Sequence, residues 1–218
     1  MYRLQYDHQR LILMKRIFVT GISTEVGKTL AAAIMVEALE ADYWKPIQAG
    51  NLEASDNHRI AALISNDKTV IHKNSYALNT PMSPHAAAEI DGASITMDRI
   101  SEPKTANHLI IEGAGGLLVP INDRQTILDI IKPDYKVVVV SRHYLGSINH
   151  SLLTLGWLQK AGFDVSVLFN GDAQPYTEEI ILRKTGLTAI GRIHSESMIN
   201  KAVVKKYADR LAPVLRTL

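Results

Sequence analysis

The stretch Gly21-Ile22-Ser23-Thr24-Glu25-Val26-Gly27-Lys28-Thr29 has the residue types needed to hold a polyphosphate. It follows the apolar run Ile17-Phe18-Val19 and precedes a run free of breakers from Leu30 to Glu40. That order reads as strand, glycine-bounded loop and helix. Loop N–H groups and the positive end of the helix dipole would face the anion. Lys28 could reach the terminal phosphates, and the Thr29 hydroxyl could ligate Mg²⁺. Five residues separate Gly21 from Gly27, where the common phosphate loop has four. The loop is therefore a variant.

Further polar residues close other apolar runs. Glu112 ends the run Leu109-Ile110-Ile111, the place where a nucleotide-hydrolysing site puts the carboxylate that serves Mg²⁺. Gly113, Gly115 and Gly116 would let backbone approach a ligand. Asp56 reads either as a second carboxylate or as an acid favoured at a helix start. Lys45 could neutralise a transferring phosphoryl group. Asn170 could pair with a base edge or simply precede the turn at Gly171. His143 and His150 read as structural or solvent-facing. No Asn-Lys-x-Asp follows a strand, so guanine recognition of the common kind is not supported. Position 23 is Ser, where partitioning ATPases with this kind of loop carry an extra lysine, which weakens a motor-like or scaffold reading.

The elements that must position these residues alternate along the chain. Strands are expected over 15–20, 43–47, 107–112, 136–141, 165–170 and 188–193. Helices are expected over 28–40, 55–64, 84–89, 95–101, 126–131, 150–161, 176–185 and 197–215, with Pro213 fraying the last turn. Gln48-Ala49-Gly50 reads as a turn. Continuous apolar strands between helices indicate a parallel sheet covered on both faces. Ligands then collect at the carboxyl ends of the strands, where the polar residues above fall. The chain has 218 residues, 46% hydrophobic and 21% charged, enough for one sizeable core. The formal charge of +2 implies no strong field for nucleic acid or an anionic membrane. Cysteine is absent, which excludes disulfides and thiolate sites and fits a cytoplasmic protein. The reading is one α/β domain over residues 14–218. Residues 1–13 lack the pattern and are expected to be an extension outside the fold.

Six segments occur in a particular order: Phe18-Val19-Thr20-Gly21, Thr24 to Thr29, Lys45-Pro46-Ile47-Gln48-Ala49-Gly50, Ser83-Pro84-His85, Ile111 to Gly116, and Leu145 to His150. This ordered set resembles the dethiobiotin synthetase family of P-loop NTPases, whose loop has the same five-residue spacing. The match runs from Met14 to Asn170 and more weakly to the end. The resemblance implies an ATP- and Mg²⁺-dependent ring closure in biotin biosynthesis. Its substrates are 7,8-diaminononanoate (DAPA) and CO₂ or bicarbonate, and its product is dethiobiotin. It implies that Lys28 and Lys45 stabilise developing charge and that Thr29, Asp56 and Glu112 serve the metal. ATP would lie against Glu25, Val26, Gly27, Lys28, Thr29, Leu30, Asp56, Glu112, Gly113, Ala114 and Gly115, with Asn170, Gly171 and His194 around the base. Substrate would meet Thr24, Ala49, Gly146, Ser147, Ile148 and Asn149, the last four from the partner of a homodimer. Ala49 stands where the family usually has a hydroxyl residue, and His194 where it usually has a proline, which implies looser base selectivity. The connection from the first helix to Lys45 is also shorter than usual. The alternative is a regulatory or partner-binding P-loop ATPase; a weaker one is another amide- or kinase-type ligase on the same core.

Overall fold

The computed structural model describes residues 14–218; the expected extension at 1–13 lies outside the described residues. Strand β1 (Arg16–Gly21) runs into the loop and then helix α1 (Lys28–Leu39). Next come β2 (Asp42–Trp44), β3 (Ile47–Ala49), α2 (Asp56–Leu63), β4 (Tyr76–Leu78) and α3 (Pro84–Ile90). The second half holds β5 (Leu109–Gly116), β6 (Lys136–Arg142), α4 (Ser147–Lys160), β7 (Asp164–Asn170), α5 (Pro175–Thr185), β8 (Ala189–Ile193) and α6 (Lys201–Leu215).

Six strands form one parallel sheet in the order β2-β5-β1-β6-β7-β8. Its central strands are buried along their length, as their uninterrupted Val and Ile runs require. Helix α1 packs with α2 and α6, and α4 packs with α5, so the sheet is covered on both faces. Residues Ala31 to Ala38 of α1 are buried all round, not on one stripe, because alanines let neighbouring backbones close in on every side. The strand order reverses direction around β1, whose neighbours are β5 and β6. That switch point opens a crevice at the carboxyl ends, where the loop lies.

Several expectations are corrected. The strand expected over 43–47 is two strands in different sheets. Pro46 has no N–H to donate and ends the ladder of β2. Its carbonyl instead accepts from the N–H groups of Ser75 and Tyr76, and β3 pairs with β4 in a separate parallel sheet. Gln48-Ala49-Gly50 is thus mainly strand, with Gly50 alone in the left-handed region at φ 73°. Strand β4 was not expected, since Tyr76-Ala77-Leu78 is too short to show a period. Two expected helices, 95–101 and 126–131, are single 3₁₀ turns at Met97–Arg99 and Ile127–Ile130. Helix α6 begins at Lys201, capped by the Asn200 side chain, and continues past Pro213 to Leu215. Lys15 Nζ donates to the carbonyls of Leu215 and Arg216 and satisfies that end.

Candidate functional site: a phosphate loop facing a buried lysine and two carboxylates

None of the backbone N–H groups from Ser23 through Leu30 has a protein acceptor among the described residues. The first intrahelical bond is Ala31 N–H to the Gly27 carbonyl, 3.0 Å. The loop with the first turn of α1 is therefore a run of unpaired donors, and the helix dipole adds to its positive potential. Gly27, at φ 96°, makes the turn into the helix. In this structure Lys28 Nζ folds back onto the Ser23 carbonyl at 3.0 Å.

Facing the loop is a charged cluster drawn from four elements. Thr29 Oγ1, on the first turn of α1, lies 3.0 Å from Asp56 Oδ1 and 2.8 Å from Glu112 Oε1. Lys45 Nζ lies 2.7 Å from Asp56 Oδ2 and 3.2 Å from Glu112 Oε1. The Tyr43 hydroxyl donates to Glu112 Oε2 at 2.7 Å. Glu112 is only 1% exposed and Lys45 5%, so each charge depends on the others for its solvation. Gln48 ties the cluster to the loop after β3: its amide nitrogen donates to the Gly50 carbonyl and its oxygen accepts from Asp56 N–H. That bond and the Ser55–His58 capping box fix the start of α2, which places Asp56.

The electrostatics follow from this packing. Burial alone would pull Lys45 down, but Glu112 and Asp56 hold it above its usual value. Burial pushes the Asp56 carboxyl up, and Lys45 with the Thr29 hydroxyl brings it below its usual range. Burial and the neighbouring Glu112 carboxylate raise the Tyr43 phenol well above its ordinary value. Burial lowers Lys28 to about 8; Glu112 and Asp56 oppose that shift and Lys45 adds to it.

The loop and the cluster open into a cleft of about 1300 Å³. Its walls beyond Lys45 include Ala49, Pro81, Leu118, Leu153 and Trp157, so a charged floor gives way to an apolar channel. Thr24, Glu25, Gly27, Lys28, Thr29, Leu30, Lys45, Ala49, Asp56, Glu112, Ala114 and Gly115 all line it. Val26 and Gly113 lie behind that lining; the Gly113 carbonyl meets Lys45 Nζ at 3.5 Å. Asn170, Gly171 and His194 lie outside this cleft, at the ends of β7 and β8. Asn170 Nδ2 donates to the Val26 carbonyl at 2.8 Å, and Gly171 N–H to the Ile193 carbonyl. Gly146, Ser147, Ile148 and Asn149 do not line the cleft of their own chain either, and the Ser147 side chain is buried beneath α4.

Sequence reasoning missed two contributors. Tyr43 looks like an ordinary core residue of a strand, and only its contact across 69 residues reveals it. His150, Leu153, Thr154 and Trp157 form the α4 wall. Their i, i+3, i+4, i+7 spacing is a second stripe beside the buried Ser147, Ser151, Leu155 and Leu158, and it was available as a signal. His143 is structural as expected: its Nε2 lies 2.7 Å from Glu178 Oε1, and its ring stacks on Phe169.

A parallel sheet with a phosphate loop after its central strand and a buried carboxylate on the neighbouring strand defines a P-loop nucleotide-binding enzyme core. The family described as "AAA domain" matches residues 15–203. In fold the chain is similar to a ParA family ATPase from Chlorobium tepidum, with a TM-score of 0.54 at 15% identity over 94% of this chain and 97% of that one. A plasmid partition protein from Borrelia burgdorferi gives 0.56 at 11% identity, over 94% and 100%. In sequence the chain is 52% identical over 197 residues to the ATP-dependent dethiobiotin synthetase BioD of Christiangramia forsetii, covering 90% of this chain and 95% of that protein. It is 47% identical to the protein of the same description from Cytophaga hutchinsonii, covering 91% and 97%. The chain belongs to the ATP-dependent dethiobiotin synthetase family.

Proposed function

We infer that this chain is an ATP-dependent ring-closing ligase that converts DAPA and CO₂ to dethiobiotin in biotin biosynthesis, with ADP and phosphate as the other products. The family relation along nearly the whole chain carries this reading. The site's chemistry supports it. One DAPA amine adds to CO₂ and loses a proton, giving a carbamate. A carbamate oxygen displaces ADP from the γ-phosphate of ATP. The second amine attacks the carbamate carbon and expels phosphate, closing the ureido ring. Each step moves negative charge and needs no protein nucleophile, so positioning and charge neutralisation suffice. Lys45, buried between Asp56 and Glu112 on the floor of the cleft, would neutralise charge on carbamate and γ-phosphate, and Lys28 would extend along the phosphates on leaving the Ser23 carbonyl. Thr29, Asp56 and Glu112 converge as hard oxygen donors, a set suited to Mg²⁺. When bound, that ion would draw charge from the phosphate oxygens. No helix among the described residues is long and apolar enough to cross a membrane, and we assign a cytoplasmic location. Mass-spectrometric detection of dethiobiotin from DAPA, bicarbonate and MgATP tests the activity. ATP hydrolysis indifferent to DAPA and bicarbonate would favour a regulatory ATPase instead.

Nucleotide binding should depend on pH. The unliganded chain sheds the Lys28 proton near pH 8, and a bound triphosphate restores it. Above pH 8, binding must therefore take up a proton, and affinity should fall by up to about tenfold per pH unit. Calorimetry in buffers of different ionisation heat measures the uptake. Pure buffer-independence on both sides of pH 8 would reject this role for Lys28.

We further propose a homodimer in which DAPA lies between subunits. The exposed Leu145, Ile148, Leu153 and Trp157 on and beside α4, with Leu118 and Met82, support an apolar contact face near the cleft. The start of α4 would offer unpaired N–H groups to the carboxylate of the partner's substrate. Because Ser147 is buried, a lesion there would damage the core; exposed Asn149 is the better probe. Mixing Lys45→Ala protein with Asn149→Trp protein, each inactive alone, should return part of the activity once subunits exchange. Continued inactivity after verified exchange would show that each site lies within one subunit.

A further inference from the structure

Two side chains from neighbouring strands hold consecutive carbonyls of the phosphate loop. Arg142 Nη1, at the end of β6, donates to the Glu25 carbonyl at 3.1 Å. Asn170 Nδ2, at the end of β7, donates to the Val26 carbonyl at 2.8 Å. Arg142 and Asn170 are register partners across β6 and β7, so one rung of the sheet supplies both pegs.

We propose that Arg142 and Asn170 are positioning residues that together turn the Val26 and Gly27 N–H groups toward the triphosphate. A trans peptide is planar, and its C=O and N–H point in opposite directions. Holding the Glu25 carbonyl toward the β6–β7 edge thus aims Val26 N–H the other way. Holding the Val26 carbonyl does the same for Gly27 N–H. Neither N–H has a protein acceptor among the described residues.

Two features of the loop fit this arrangement. Glu25 sits in the left-handed region at φ 55°, which costs a residue with a side chain about 1–2 kcal/mol and persists only where surroundings impose it. Its own carbonyl is the one Arg142 holds. At Gly27, an added Cβ would lie 2.2 Å from Asn170 Nδ2, so Asn170 presses directly on the loop. Only the amide nitrogen can face a carbonyl, which leaves Asn170 Oδ1 for a base; Asn170 would then join base and phosphates through one side chain.

This proposal rests on the nucleotide reading, so the test separates the two. Calorimetry on the full chain would compare MgATP with inorganic tripolyphosphate, which has no base, for wild type, Arg142→Met, Arg142→Lys and Asn170→Asp. The clamp predicts that Arg142→Met and Asn170→Asp each weaken tripolyphosphate by about tenfold, with the melting temperature of the empty chain little changed. The Arg142→Met loss should persist at high salt, where the mere attraction of a separate charge is screened. Arg142→Lys keeps a donor and should recover most of it. Unchanged tripolyphosphate binding, with only MgATP weakened by Asn170→Asp, would reduce Asn170 to a base contact and overturn the clamp. A loss at Arg142 that vanishes at high salt would also overturn it. Failure of the wild-type chain to bind either ligand would overturn the nucleotide reading and the clamp with it.

Discussion

Replacing Lys45 with alanine is expected to lower turnover by about 100-fold or more while MgATP still binds. The lysine sits outside the phosphate loop, between Asp56 at 2.7 Å and Glu112 at 3.2 Å. On the proposed reaction its charge would therefore matter most as charge develops on carbamate and γ-phosphate, not when nucleotide docks on the loop amides. Stability should fall as well. Losing one partner of a buried pair costs about 3–5 kcal/mol, because the remaining charge is stranded. Here two carboxylates are stranded, one of them Glu112 at 1% exposure. Single-turnover kinetics at saturating DAPA, made well below the lowered melting temperature, separate the two effects. Near-normal turnover of the folded variant would remove Lys45 from the chemistry.

Gly27→Ala is expected to reduce MgATP affinity by about 100-fold or more. Gly27 has φ 96°, where an L side chain adds strain of about 1–3 kcal/mol. An alanine Cβ would also lie 2.2 Å from Asn170 Nδ2 and 3.1 Å from Asn170 Cγ. Relief requires either Asn170 to leave the Val26 carbonyl or the loop to lift from β7, and each disturbs the amide array. Gly162→Ala is the control. Gly162 has φ 83° with open space where its Cβ would go, so that variant carries the backbone strain alone and should bind MgATP normally. Calorimetry with both variants decides it; Gly27→Ala binding within about threefold of wild type would show that the loop tolerates the shift.

Local order along the chain carried much of the fold and the first half of the site. The apolar run before Gly21, the Gly-Lys-Thr ending and the breaker-free run after it specify strand, loop and helix among residues that are chain neighbours, and the structure has them so. Glu112 was legible as the lone acid after Leu109-Ile110-Ile111, but the strand expected to end there continues through the glycines to Gly116, so Glu112 lies mid-strand, just past the last pairing of β2 with β5. Pro46 was visible too, yet its consequence was not. A missing N–H ends one ladder, but where the chain pairs next depended on Tyr76-Ala77-Leu78, about thirty residues away and too short to show a period.

Only the tertiary structure decided how the charges stand together. Lys45 and Glu112 are 67 residues apart, Tyr43 and Glu112 69, and Asn170 and Val26 144. No periodicity links such pairs. They meet because β2, β5, β1, β6 and β7 lie side by side in parallel, which brings residues distant along the chain to one edge. Burial then sets their character. Asp56 alone could have been a helix-start acid; beside buried Lys45 it is half of the charge that keeps that lysine an ammonium. Residue types and spacing determined that this chain could hold phosphate. The packing of the strand ends determined that Lys45 stands between Asp56 and Glu112 and that Arg142 and Asn170 bond the carbonyls of the loop.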